Sequence, residues 1–134
     1  EGGLDAVAHR DAIQSAVTRF RDAGMCVSLF LDPDSAQIDV AAELQVEAVE
    51  LHTGQYALAK GAAQQSELTR LATAGQRIRQ HGMILHAGHG LNYQNVGPVA
   101  GLEGMNELNI GHSIVSRAVL VGMERAVREM KALI

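Results

Sequence analysis

Aromatic residues and cysteines are scarce in this sequence of 134 residues, which has no tryptophan, two tyrosines, two phenylalanines and one cysteine. With Cys26 alone, no internal disulfide can form, and nothing indicates the crosslinked framework of a small secreted domain. A reduced, cytoplasmic setting fits this composition best. A core with few aromatic side chains suits closely packed α/β layers better than an aromatic-rich β-sandwich.

Long apolar runs and runs of basic residues are also absent. No segment reaches the roughly 20 apolar residues that a membrane-spanning helix requires, and the first residues lack the basic-then-apolar pattern of a signal peptide. The net charge of −4 offers no electrostatic attraction to nucleic acid. We therefore expect a soluble protein with neither nucleic-acid nor membrane partners.

Helical and strand periodicities alternate along the chain. Amphipathic helices are predicted over residues 4–23 and 62–81, a mobile segment over 53–61, and one long terminal helix over 113–133. Short apolar runs typical of buried strands cover residues 25–31, 46–51, 83–87 and 107–110. This alternation predicts an α/β fold with parallel strands joined by right-handed crossovers.

The second predicted strand favours a barrel over a doubly wound sheet, although both satisfy the element order. Alternation places Val49 and Leu51 on one side of the strand and Glu50 on the other. A sheet covered by helices on both faces would be apolar on both sides, whereas a barrel has an inner face that opens into an active site. A complete (β/α)8 TIM barrel needs eight strands and about 250 residues, so the chain, which opens at Glu1 without methionine, is interpreted as a fragment.

Residues that can bind an anion or transfer a proton follow directly after the predicted strands, where active sites form in parallel α/β folds. The turn at Gly111 and His112 leads into a helix, whose free backbone N–H groups and dipole favour a bound phosphate. His89 precedes Gly90 in a second such turn and can exchange a proton near neutral pH. An inward Glu50 is costly to bury unless it serves a reaction or an ion pair.

Two other functions remain open on these residues. In the first, the chain is part of a metal-dependent barrel hydrolase whose metal ligands are the strand-end histidines His52, His89 and His112. Their spacing does not match a zinc motif. Alternatively, the chain is a non-catalytic half-barrel that self-associates through its exposed strand edges. A packed, hydrogen-bonded core role is expected for His86.

Five ordered blocks together resemble the pyridoxine 5′-phosphate synthase family. They cover residues 1–5, 27–30, 50–54, 87–91 and 107–112, and read EGGLD, VSLF, ELHTG, AGHGL and ELNIGH. The resemblance extends over the whole chain. It implies that residues 1–134 are the C-terminal half of a single TIM-barrel domain, from a cytoplasmic, homo-oligomeric enzyme of the transferase class. It implies no metal and no organic cofactor.

The resemblance also implies a reaction and assigns residues to it. The reaction condenses 1-deoxy-D-xylulose 5-phosphate with 3-amino-2-oxopropyl phosphate, giving pyridoxine 5′-phosphate, inorganic phosphate and water. His89 matches the family's proton donor, and Glu50 matches the carboxylate that stabilises a transition state. Gly90, Gly111 and His112 match positions that hold the aminoketone phosphate. Other catalytic and substrate-binding residues belong to the family's first half, so we expect the 134 residues alone to be inactive.

Overall fold

The computed structural model describes residues 2–134, and Glu1, the first residue of the block 1–5, lies outside the described residues. Helices and strands alternate as the sequence predicts. In chain order the elements are α1 (Arg10–Asp22), β1 (Ser28–Leu31), α2 (Ser35–Glu43), β2 (Ala48–His52), α3 (Gly54–Leu58), α4 (Gly61–Gln80), β3 (Ile84–Gly88), α5 (Val96–Ala100), β4 (Met105–Asn109), α6 (His112–Val121) and α7 (Met123–Lys131).

The four strands form one parallel sheet in the order β1-β2-β3-β4. Each strand is therefore added beside the one before it, as in a (β/α)8 barrel, whereas a doubly wound sheet reverses direction at a switch point. The predicted α/β class is confirmed. Because the strands are parallel, the loops that follow them gather at one end of the sheet.

Helices cover one face of the sheet. The side chains of this face belong to a single hydrophobic cluster with residues of α1, α2 and α4. Helix α4 approaches the sheet closely at Gly75, where a Cβ would lie 2.8 Å from Leu85 Cδ2. The large, almost fully buried strand residues of this face are Leu31, Val49, Leu51 and Leu85. Their burial stabilises the packing of the helices on the sheet.

The opposite, inner face carries a row of four aligned residues, which are Phe30, Glu50, His86 and Glu107. Nothing within residues 2–134 covers this face fully, since Ile84, which lies on the same face, remains 46% exposed. The prediction of one polar-bearing strand face is confirmed. His86 lies half-buried between the two carboxylates of the row, and not in the packed core expected for it.

The single terminal helix predicted over residues 113–133 is wrong, because Gly122 separates α6 from α7. Its backbone angles, φ 84° and ψ 152°, belong to a region that only glycine adopts readily. After this break α7 buries Ala126 and Met130, whereas α6 has no buried residue. Apolar side chains of α6 are consequently exposed, and Val119 is 81% accessible.

The segment over residues 53–61, expected to be mobile, instead contains the short helix α3. Its Tyr56 is buried, with 3% of the residue exposed. The Tyr56 hydroxyl donates a hydrogen bond to the carbonyl of Asn95 at 2.8 Å, which ties α3 to the loop before α5. Within residues 2–134, no helix is both long enough and apolar enough to cross a membrane.

Candidate active site

Glu50 lies in the middle of β2 with its carboxylate on the inner face of the sheet. Asn109, at the end of β4, donates a hydrogen bond from Nδ2 to Glu50 Oε2 at 3.0 Å. Burial raises the pKa of the Glu50 carboxyl, and the nearby Glu107 carboxylate acts in the same direction. The Asn109 hydrogen bond and His86 oppose that rise. The protonated form of Glu50 is therefore more accessible than that of an ordinary glutamate.

The turn after β3 holds His89 in an uncommon backbone conformation. Both His89 and Gly90 have positive φ, at 79° and 78°, and a non-glycine residue there is strained unless its surroundings fix it. The buried Thr53 provides that restraint. Its Oγ1 lies 2.8 Å from the Gly88 carbonyl and 2.5 Å from the His89 carbonyl. Strain of this kind concentrates at functional sites.

Side-chain amides stabilise the loop that follows His89. Asn95 Nδ2 donates to the Gly90 carbonyl at 3.2 Å, and Asn95 Oδ1 accepts from the Asn92 N–H at 2.7 Å. The Tyr93 hydroxyl donates to the carbonyl of Ala126 in α7 at 2.8 Å. The loop is thus held at both ends, and the backbone around Gly90 is fixed before any ligand binds.

The amino terminus of α6 faces the same loop. Gly111 occupies the position before the helix, and no side chain caps the free N–H groups of the first turn. Ser113 Oγ donates to the Leu91 carbonyl at 2.8 Å, which joins the start of α6 to the turn after β3. Uncapped N–H groups and the positive end of the helix dipole make this a favourable position for an anion.

All five site residues predicted from the sequence border one cleft of about 710 Å³. Its volume is in the range of pockets that accept small organic ligands. The cleft combines a carboxylate, an imidazole and a helix amino terminus, which are the groups needed to move protons and hold a phosphate. The lining residues are Phe30, Glu50, His89, Gly90, Leu91, Asn92, Asn109, Ile110, Gly111, His112 and Ser113.

Two of the three histidines proposed as metal ligands, His52 and His89, are in ring contact, but the three do not form a set of metal ligands. His52 lies behind the cleft, where its Nδ1 is 2.7 Å from Asp32 Oδ1, whereas His89 and His112 border the cleft itself. Across residues 2–134, no group of three or more histidine, cysteine, aspartate or glutamate side chains is arranged to hold a metal ion. The geometry therefore gives no support to the hydrolase alternative.

Sequence reasoning missed several residues that shape the cleft. Nothing in the sequence indicates a role for Asn109, although its amide is the hydrogen-bond donor to Glu50. Thr53 was overlooked because its two acceptors lie 35 and 36 residues away. The only local signal for Asn109 is its position two residues after Glu107, which puts both residues on the same side of β4.

Comparison with known proteins gives one consistent result. The family model described as "Pyridoxal phosphate biosynthesis protein PdxJ" matches residues 1–134. The pyridoxine 5′-phosphate synthase of Rhodopirellula baltica is 63% identical over 134 residues, which are 100% of this chain and 54% of that relative.

Two cyanobacterial relatives carry the same name. The one from Synechococcus sp. (strain WH7803) is 54% identical over 134 residues, covering 100% of this chain and 54% of its own length. The one from Thermosynechococcus vestitus is 54% identical over 135 residues, covering 100% of this chain and 57% of its own length. The chain thus spans about half the length of the curated relatives it matches.

Proposed function

Since the chain belongs to the PdxJ family of pyridoxal phosphate biosynthesis proteins, we propose that it supplies part of the active site of a pyridoxine 5′-phosphate synthase. The substrates would be 1-deoxy-D-xylulose 5-phosphate and 3-amino-2-oxopropyl phosphate. One observation carries the proposal, namely that Glu50, His89 and the amino terminus of α6 border a single cleft. Under this proposal, residues 1–134 are the C-terminal half of one barrel domain in a cytoplasmic enzyme.

The phosphate of the aminoketone is proposed to bind at the start of α6. Gly111 and His112 present backbone N–H groups at the positive end of the helix, and Gly90 borders the same cleft. A Cβ on Gly90 would lie 2.7 Å from the Ala57 Cβ, so glycine is required there for steric reasons as well as for its positive φ. The glycine turn keeps the cleft wall close to α3 and leaves space for the ligand.

The proton transfers are assigned to His89 and Glu50. Condensation of an amine with a ketone, followed by loss of water and phosphate, requires a proton for each departing oxygen. His89 is proposed as the proton donor because it borders the cleft beside the phosphate position. Glu50, held by Asn109, is proposed to stabilise the positive charge that develops on nitrogen in the condensation. No metal and no organic cofactor takes part.

The chain alone is proposed to be inactive. The inner face of the sheet is open, and the carbonyl groups of the substrates would be exposed to water along that side. The remaining catalytic and substrate-binding groups would come from strands beyond these four. We further propose that the whole protein is a homo-oligomer, and sedimentation of the protein expressed from its own gene would test this.

The decisive experiment is an assay of the protein expressed in full from its own gene. Pyridoxine 5′-phosphate and inorganic phosphate are measured after the two substrates are mixed. His89→Gln is expected to lower kcat by roughly 100-fold to 10,000-fold, and Glu50→Gln by about 100-fold. His9→Gln, at an exposed position before α1, is the control and should retain wild-type kcat. A wild-type protein that forms no product would contradict the proposed function.

A further inference from the structure

His52 is a buried histidine at the end of β2 that the proposed reaction does not use. Its side chain is only 6% exposed, and its Nδ1 lies 2.7 Å from Oδ1 of Asp32, the residue that follows β1. The Gly3 N–H donates to the same carboxylate oxygen at 3.2 Å. Asp32 is therefore fixed from two sides, and it in turn fixes one nitrogen of the His52 ring.

The hydrogen bond to Asp32 determines how the His52 ring is oriented. A carboxylate only accepts hydrogen bonds, so the proton of this contact is on His52 Nδ1. The other nitrogen, Nε2, is buried and has no hydrogen-bond partner within residues 2–134. An unpaired buried nitrogen is costly. Within residues 2–134, the contact with Asp32 is thus the only hydrogen bond that orients the His52 ring.

The His52 ring contacts the ring of His89. Their centroids are 4.9 Å apart with an angle of 63° between planes, and Phe30 contacts His52 in a similar way at 5.2 Å and 64°. His52 therefore lies between an aromatic ring of β1 and the imidazole of the turn after β3. It is not among the residues that line the cleft, so the proposal gives it no direct contact with a substrate.

Gly54 makes the contact between the two imidazoles sterically feasible. A Cβ at this position would lie 2.5 Å from His52 Nε2 and 3.3 Å from His89 Cδ2. Any side chain would therefore push the His52 ring away from its place beside His89. The absence of a side chain at Gly54, the first residue of α3, thus allows the two rings to be in contact.

We propose that Asp32 and His52 are positioning residues that orient the imidazole of His89 in the cleft. The inference rests on the proposed function, because it takes His89 to be the proton donor. The backbone of His89 is fixed by Thr53, but a proton donor also needs a fixed ring direction. The edge contact with His52 restricts that direction, and the Asp32 carboxylate prevents the His52 ring from turning.

The test uses the protein expressed in full from its own gene, with isotope-labelled histidine. Asp32→Ala removes the acceptor of His52, whereas Asp32→Asn keeps an oxygen that accepts from Nδ1. We expect Asp32→Ala to lower kcat roughly 10-fold to 100-fold with little change in KM, and to shift the ring ¹H and ¹³C signals of His89. Asp32→Asn should restore both to near wild-type values. The His89 signals are assigned by their loss in His89→Gln.

A second variant and a matched control keep the test decisive. His52→Phe retains a ring of similar size but cannot bond to Asp32, and it should lower kcat and shift the His89 signals. Asp34→Ala removes a neighbouring carboxylate that caps α2 and does not contact His52. It should lower stability while leaving the His89 signals unchanged. Comparison of Asp34→Ala with Asp32→Ala thus separates the effect of lowered stability from the effect of a changed His89 orientation.

The outcomes distinguish the inference from the function on which it rests. If the wild-type protein makes no pyridoxine 5′-phosphate, the proposed function fails, whatever the His89 signals show. If the wild type is active, a folded Asp32→Ala or His52→Phe variant with normal kcat overturns the positioning role. A lower kcat with unshifted His89 signals overturns it as well.

Discussion

Gly88 and Glu50 lie on adjacent strands and approach so closely that a Cβ on Gly88 would be 2.1 Å from Glu50 Oε1. The same Cβ would lie 3.0 Å from the Asn109 carbonyl oxygen on the other side. The missing side chain on β3 therefore provides the space that the carboxylate of β2 occupies. Glycine at this position is required for space and not for an unusual backbone angle.

Gly88→Ala is expected to displace the Glu50 carboxylate and to lower kcat by about 100-fold. Steady-state kinetics of the full protein measures the effect. Gly101→Ala is the matched control, because the φ of Gly101 is −77° and its added Cβ would meet no atom closer than 3.5 Å. Wild-type kcat in Gly88→Ala would show that the position of this carboxylate is unimportant for the reaction.

Thr53→Val is expected to destabilise the turn that carries His89, because the buried carbonyl of Gly88 and the partly buried carbonyl of His89 would lose the nearby hydroxyl donor. The free energy of unfolding should fall by about 1–3 kcal/mol, measured by urea denaturation. Thr53→Ser keeps the hydroxyl and should retain most of the stability. Equal stability of the valine and serine variants would mean that the hydroxyl contacts contribute little.

Glu129 joins the two terminal helices, since Arg117 of α6 and Arg125 of α7 both bond to it. Arg117, followed by Arg125, lowers the pKa of the Glu129 carboxyl from 4.5 to about 2. A carboxyl group whose pKa is lower in the folded state stabilises that state at pH values above its pKa in the unfolded chain. This stabilisation is lost as the pH falls toward the pKa of the folded state.

Glu129→Gln should therefore be less stable than the wild type at neutral pH. The difference should shrink as pH falls from 4.5 to about 2. Melting temperatures across this range provide the measurement. Glu124→Gln is the control, because Glu124 is 87% exposed and pairs only within α7. A difference for Glu129→Gln that does not vary with pH would contradict the assigned ion pairs.

Gly122→Ala is expected to lower stability by about 1–3 kcal/mol, since alanine would be forced into a backbone region reserved for glycine. Open space surrounds Gly122, so backbone strain alone would cause the loss. Gly97→Ala is the comparison, because its added Cβ would make only an ordinary contact at 3.8 Å. Thermal unfolding distinguishes the two, and equal melting temperatures would refute the strain argument.

The sequence was sufficient to predict that the five site residues meet at one cleft, because four of them follow parallel strands, whose carboxyl ends meet at one place, and Glu50 faces inward from β2. It was not sufficient for Asn109, Thr53 and Asp32. Their contacts join residues far apart in the chain, and periodicity reports only which side of an element a residue occupies. The break at Gly122 was missed because a single glycine inside a helical pattern is compatible with a continuous helix.

The hydrogen bond from Tyr93 to the Ala126 carbonyl gives the last helix a part in supporting the cleft. Tyr93 belongs to the same loop as Gly90, and α7 anchors that loop through this hydrogen bond. Helix α7 (Met123–Lys131) thus supports the loop that follows His89. A label or fusion partner that unseats α7 would disturb the site from a distance, with no change to any residue that borders it.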